Sequence, residues 1–317
     1  MPRKLLIFGN GIGMALNADH FSLRNALELV WHRPDFLTDE QKRLISLCVG
    51  SDGPPATEDE MDQLHRVMTS CQTLCDINND DLHWLTDEGR AFPEETARYI
   101  HKVATYLHNC PHVLPQEFVG PLISFLSTTR SHVATLNYDR LLYDAMLDNR
   151  ILRGYDGPLI DGIVDNGFNS DNLTRLYGRS FGYYLHLHGS PLFYNEGHSI
   201  YKYTRAEMAS EPDECSRHIV LTHVKHKKSV IAASRLLSAY WEYLHFALNE
   251  AREVIFIGYS GLDTHLNELI KLQARTQRIR VLEWTGAGHD LAYWTQKLGR
   301  VDELIQLDNI LTFNEWD

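Results

Sequence analysis

The sequence predicts an α/β fold in which a parallel sheet is covered on both faces by helices and a helical insertion follows the first strand. Two patterns carry that prediction. In the last third, segments of helical period alternate with short apolar runs, the order expected of parallel strands joined by crossover helices. Several apolar runs also stop at a glycine, an asparagine or a histidine, and open sheets of this type bind ligands just beyond the carboxyl ends of their strands. All 317 residues, 44% of them hydrophobic, are expected to form one domain that includes the insertion.

The elements follow in order. Residues 5–8, Leu-Leu-Ile-Phe, suit a buried strand feeding a tight turn at Gly9. From residue 21 to about residue 114 the pattern turns helical and rich in charge, which marks the insertion, with Ser51, Asp52, Gly53, Pro54 and Pro55 as one of its loops. Residues 132–136 read as a second buried strand and 139–147 as the helix after it. Residues 151–182 are rich in Gly, Asn and Asp without a sustained period, the mark of a long loop of the functional kind. Residues 183–187 are a third strand candidate, and Asn195, Glu196 and Gly197 between alternating segments suggest a hairpin. Leu237, Trp241, Leu244 and Leu248 form one face of a helix, and 254–257 a strand. Leu266, Leu269 and Ile270 mark another helix and 280–283 a further strand. No internal repeat or low-complexity segment is seen.

Composition excludes several function classes. Lys plus Arg number 30 against 42 Asp plus Glu, and a net charge of -12 opposes binding to nucleic acid or to anionic membrane surfaces. No run of about 18 apolar residues is present, so no membrane span is expected. The basic start and the apolar stretch after it are interrupted by Gly9, Asn10, Gly11 and Gly13 with no cleavage site following, which argues against secretion. Cys48, Cys71, Cys75, Cys110 and Cys215 match neither a disulfide framework nor a zinc ribbon, and a reducing cytoplasm fits them. His186, His198, His218, His223 and His226 are not joined to carboxylates or thiolates by a ligand pattern, so no metal is expected.

Four strand ends carry candidate chemistry. Gly9, Asn10, Gly11 and Gly13 have little or no side chain in the way of a phosphate approaching their backbone N–H groups, although a turn serving only chain reversal reads the same. Asn137 offers a donor and an acceptor suited to a ribose hydroxyl or a positioned water; Asp139 bonds the loop or caps the next helix. His188, beside Gly189, is either a structural histidine or a base able to take a proton near neutral pH. Gly258 and Ser260 suit phosphate or ribose contact, and Asp263 the same or the N-cap of its helix. Glu283 either bonds an adenosine ribose or is simply a solvated strand end.

Taken together and in this order, the four motifs resemble the sirtuin superfamily, and most closely its bacterial NAD-hydrolysing branch of anti-phage defence systems. Residues 137–140, Asn-Tyr-Asp-Arg, and 258–260, Gly-Tyr-Ser, look like that branch in particular. The resemblance spans residue 5 to about residue 285 and implies a Rossmann-like, sirtuin-like sheet. Asn10 stands where the family usually has a small residue, and Met14 where a serine is common.

The resemblance implies that NAD is a substrate rather than a recycled cofactor. Protein-deacetylating sirtuins carry two Cys-x-x-Cys pairs for zinc; this sequence has none. The implied activity is hydrolysis of NAD to nicotinamide and ADP-ribose by the toxic effector of an abortive-infection system. In that reading Asn137 holds ribose or water and His188 is the general base; Gly9, Asn10, Gly11, Gly13, Asn137, Asp139, Gly189, Gly258, Ser260 and Asp263 contact the dinucleotide. A nucleotide-binding subunit without catalysis, an ADP-ribosyl transferase and a deacylase are the competing readings. Because such an enzyme must otherwise be silent, self-assembly or a separately encoded sensor is expected, with residues 21–114 as the contact surface. Apolar stripes on those helices equally suit packing within the chain.

Overall fold

The computed structural model describes residues 2–77, 84–164, 167–176, 178–212, 215–216, 218–220 and 224–316. Strand β1 (Lys4–Phe8) is buried along its whole length and turns into α1 (Gly11–Phe21), a helix bent at Asn17. Four helices follow, α2 (Leu23–Trp31), α3 (Asp39–Val49), α4 (Glu58–Asp76) and α5 (Asp87–His108). Helix α6 (Gln116–Thr129) returns the chain to β2 (His132–Thr135), and α7 (Leu141–Asp148) leaves it. The short strands β3 (Leu159–Ile160), β4 (Ile163–Val164) and β5 (Gly167–Phe168) precede β6 (Gly182–His186). Then come β7 (Phe193–Glu196), β8 (Ser199–Lys202), α8 (Arg205–Ala209), α9 (Val224–Ala233) and α10 (Arg235–Glu250). The chain closes with β9 (Glu253–Ile257), α11 (Thr264–Gln273), β10 (Arg278–Trp284), α12 (Leu291–Leu298) and β11 (Glu303–Leu307).

The main sheet is parallel, in the order β11-β10-β9-β1-β2-β6-β3. Its central strands are apolar on both faces because helices cover both, so they show no alternation. The chain adds β2 on one side of β1 and later β9 on the other, and this reversal opens a crevice at the carboxyl ends of β1 and β9. The mixed α/β, Rossmann-like architecture is therefore the one the sequence predicts. The stripe Leu237, Trp241, Leu244 and Leu248 is buried on α10 as predicted, and β7 and β8 form the hairpin around Gly197.

Two expectations need correction. Residues 151–182 are not one long loop: they contribute the edge strand β3 and the small β4–β5 ladder. The sequence reading also missed α12 and β11, which extend the sheet past β10. In the insertion, α2, α4 and α5 bury Leu27, Val30, Trp31, Leu64, Tyr99 and Val103 against one another. Their apolar stripes are thus consumed by a core of their own, separate from the core under the sheet. Capping boxes Thr38–Gln41 and Thr57–Glu60 start α3 and α4, the second just past the predicted loop at 51–55. Helix α6 lies outside the insertion and packs Phe118, Leu122, Phe125 and Leu126 on the sheet core.

Candidate functional site

The crevice at the strand reversal is floored by three glycines. Gly9 donates to the Ile257 carbonyl at 2.9 Å and Gly11 to the Gly258 carbonyl at 2.8 Å, which sews the loop after β1 to the loop after β9. A Cβ on Gly9 would lie 2.6 Å from the Gly258 oxygen, and one on Gly11 2.5 Å from the Gly258 Cα. Gly258 itself has φ +59. These glycines are required by backbone meeting backbone, which corrects the expectation that the N–H groups of Gly9 and Gly11 are free for a phosphate. Their carbon-bare surface still forms the cavity wall at the amino end of α1, where the helix dipole favours an anion.

Asn137 and Asp139 enter from the end of β2. The Asn137 side-chain N–H donates to the Gly9 carbonyl at 3.1 Å, and this acceptor fixes which way the amide faces. Its oxygen Oδ1 is left buried without a partner among the described residues. A buried acceptor without a partner is the kind of group that a ligand hydroxyl or a water satisfies. Asp139 Oδ1 accepts from the Leu141 N–H at 3.0 Å, the helix-start bond the sequence suggested. Burial nonetheless pushes the Asp139 carboxyl up to about 6, only partly opposed by that bond and by the Asn137 side chain.

His188 leaves the end of β6 and meets Asp263 across the crevice. Asp263 does two things at once. Its Oδ1 caps α11 by accepting from the Leu266 N–H at 3.1 Å, and its Oδ2 lies 2.9 Å from His188 Nε2. The same Oδ2 pairs with the ammonium of Lys227, which also touches His188 Nε2 at 2.5 Å. Burial opposes ionisation of Asp263, but the His188 hydrogen bond and the Lys227 charge outweigh it and hold the carboxyl far below its usual range. Burial, and after it the Lys227 charge, lowers the His188 pKa against the pull of Asp263 and the Leu136 backbone, so the imidazole is neutral at physiological pH.

These groups line one cavity of about 950 Å³. Of the predicted site residues, Gly9, Asn10, Gly11, Asn137, Asp139, His188, Gly258, Ser260 and Asp263 all reach its wall. Gly13 and Gly189 do not. Gly13 is buried where a Cβ would lie 2.7 Å from the Phe21 ring, and Gly189, at φ +77, turns where a Cβ would overlap the His218 carbonyl. Asn10 reaches the wall, but its amide donates to the Phe21 carbonyl at 2.9 Å and ties down the far end of α1. Glu283 is not a solvated strand end: it is buried and lines the same cavity, with His289 Nδ1, Trp294 Nε1 and Gln306 Nε2 bonding its carboxylate within 3.0 Å.

Two parts of the wall escaped the sequence reading. Lys227 belongs to the run His-Val-Lys-His-Lys-Lys-Ser at 223–229, whose charge reads as a solvated surface; only the folded chain buries it. His223, named in the sequence reading, lies outside the described residues. The insertion also supplies an apolar wall, with Leu23, Leu27, Met61 and Leu107. It is held there by polar ties: His108 Nδ1 lies 2.9 Å from the Tyr138 carbonyl, and Arg140 donates to the Cys110 carbonyl at the same distance. Among the described residues no three His, Cys, Asp or Glu side chains gather as metal ligands, and no helix is long and apolar enough to cross a membrane.

Residues 131–282 match the family model described as a SIR2-like domain, a span that runs from β2 into β10 and holds Asn137, His188, Lys227 and Asp263. The match supports a sirtuin-like family for the chain, and SIR2-like domains bind NAD. The loop after β1 and the helical insertion fall outside the matched span. A comparison with curated proteins finds no match.

Proposed function

We propose, from the premise of a SIR2-like domain, that the chain hydrolyses NAD to nicotinamide and ADP-ribose. One observation carries this reading: Asn137, whose Oδ1 is buried without a partner among the described residues, and His188, whose imidazole is neutral, line the same glycine-floored cavity. The pieces fit the substrate. The amino end of α1 favours the diphosphate, and the Asn137 acceptor suits a ribose hydroxyl or the attacking water. Nicotinamide in NAD is a cationic leaving group, so the carbon–nitrogen bond breaks with its electron pair passing to the ring, and no acid is needed at that step. Water oxygen bonds to the ribose carbon, and His188 takes the water proton as general base. The balance is NAD and water to nicotinamide, ADP-ribose and one proton.

An activity that consumes NAD harms its own cell, and it suits the toxic effector of a bacterial anti-phage abortive-infection system acting in the cytoplasm. Control by self-assembly or by a separately encoded sensor belongs to the same proposal. Incubation of the purified chain with NAD, followed by chromatography, tests the chemistry. Free nicotinamide with equimolar ADP-ribose is the expected result. A modified polypeptide would make the chain a transferase instead, and intact NAD under all conditions, with and without a co-expressed genomic neighbour, would overturn the reading.

A further inference from the structure

The hydrolysis step makes no use of Lys227, yet its ammonium sits against the proposed base. Lys227 lies on α9 and is 3% exposed. A lysine so far from water keeps its charge only beside a counter-charge, which Asp263 provides. An ammonium has hydrogens to give and no lone pair to offer. In the tautomer with its hydrogen on Nδ1, that hydrogen runs to the Leu136 backbone and the lone pair of Nε2 accepts from the ammonium, which also bridges to the Asp263 Oδ2 beside it. Both ring nitrogens are committed inside the protein. The lone pair that would receive the water proton is already occupied.

We propose that Lys227 is an intramolecular mask on His188, and that α9 must carry its ammonium away before the site turns over. The inference rests on the reading of His188 as general base. It supplies within the chain the silence that such an enzyme needs, and it indicates how a partner breaks it. Helix α9 packs against α11 and α10 on one side and against α4 of the insertion on the other. A protein or a second copy seated on the insertion thus has a mechanical route, through α4 and α9, to the ammonium. Trp241, whose ring lies 5.6 Å from the Lys227 ammonium, holds the masked position from α10.

Among the described residues, the ionisable groups around the imidazole are Lys227 on α9, Asp263 at the cap of α11 and His265 in its first turn, and Asp139 and Tyr138 after β2. Of these the lysine is the fixed cation in contact, so its removal must both free the nitrogen and make it more basic. The test uses full-length Lys227→Met, which keeps the stem, and Lys227→Gln, which keeps a donor, should the first fail to fold. Two readouts are taken: the His188 titration by nuclear magnetic resonance, and the rate of nicotinamide release from NAD. The expected result is a His188 pKa raised by about one unit or more, a tenfold weaker imidazolium acid, and NAD cleavage by the isolated chain at least tenfold faster than the parent. An unmoved titration overturns the mask, as does a titration that moves while the parent cleaves NAD as fast as the variants. If the titration moves and no protein cleaves NAD, the contact stands and the hydrolase reading falls.

Discussion

The two ends of the parallel sheet bury comparable charge and dispose of it in opposite ways. At the amino ends of the strands, Lys4 pairs with Glu253 at 2.7 Å, Glu253 with Arg280 at 3.2 Å, and Arg280 with Glu303 at 3.2 Å, so β1, β9, β10 and β11 are laced by alternating signs. At the carboxyl ends, Asn137 keeps an unanswered oxygen, Asp139 is held against its preferred ionisation, and His188 shares one nitrogen between Asp263 and Lys227. One end spends its charges on ion pairs between neighbouring strands; the other gathers them around the cavity, where the proposed function needs them.

The comparison can be broken at its functional end most severely. His188→Ala should cut NAD cleavage by about 10²- to 10⁴-fold, the usual contribution of a general base, while its thermal unfolding midpoint stays near the parent's. A variant that cleaves NAD at the parental rate removes His188 from the chemistry. At the other end, Glu253→Gln should leave Lys4 buried without a counter-charge and Arg280 with Glu303 alone, and cost about 3–5 kcal/mol in denaturant unfolding, with activity per folded molecule unchanged. A loss under about 1 kcal/mol, the value of a surface pair, would show that this ladder does not hold the strand starts.

Asp139 sharpens the contrast through pH. Its carboxyl, ordinarily at 3.8, is pushed up to about 6, so the folded state prefers the protonated form. That contribution is full below the ordinary value and is lost as pH rises through about 6. Asp139→Asn, which keeps an acceptor for Leu141, should therefore be more stable than the parent at pH 7 by at most about 3 kcal/mol, with the gain gone by about pH 4. A gain that persists at low pH would contradict an origin in charge burial. The smallest effect is expected away from both ends: Thr38→Ala removes the cap of α3 and should cost about 1 kcal/mol, with nicotinamide release unaffected.

How much of this was legible in the sequence follows from what makes each feature. β1, β2, β6 and β9 announce themselves because strands buried on both faces are short apolar runs, and the polar residue just past each run must face the crevice. Asn137, His188 and Asp263 were found that way. The glycines were found at the right places for a different reason, since an approaching backbone and an approaching phosphate both demand the absence of a side chain. Lys227 was hidden because a lysine in a charged run acquires meaning only from the carboxylate the fold brings to it. The solvated-end reading of Glu283 failed because its donors His289 and Trp294 flank or belong to α12, a helix the periodicity did not reveal. β11, half-buried at the sheet edge, has neither the apolar run of a central strand nor a strong turn before it.

The position of the first strand has a consequence for assembly. β1 precedes the other described elements, yet its neighbours are distant in the chain: Leu5 lies beside His132 on one flank and beside Val254 on the other. The floor of the crevice closes only when Gly258 reaches Gly9 and Gly11. A chain lacking that region contains the strand but no finished pocket, so the crevice is completed only once the loop after β9 is present.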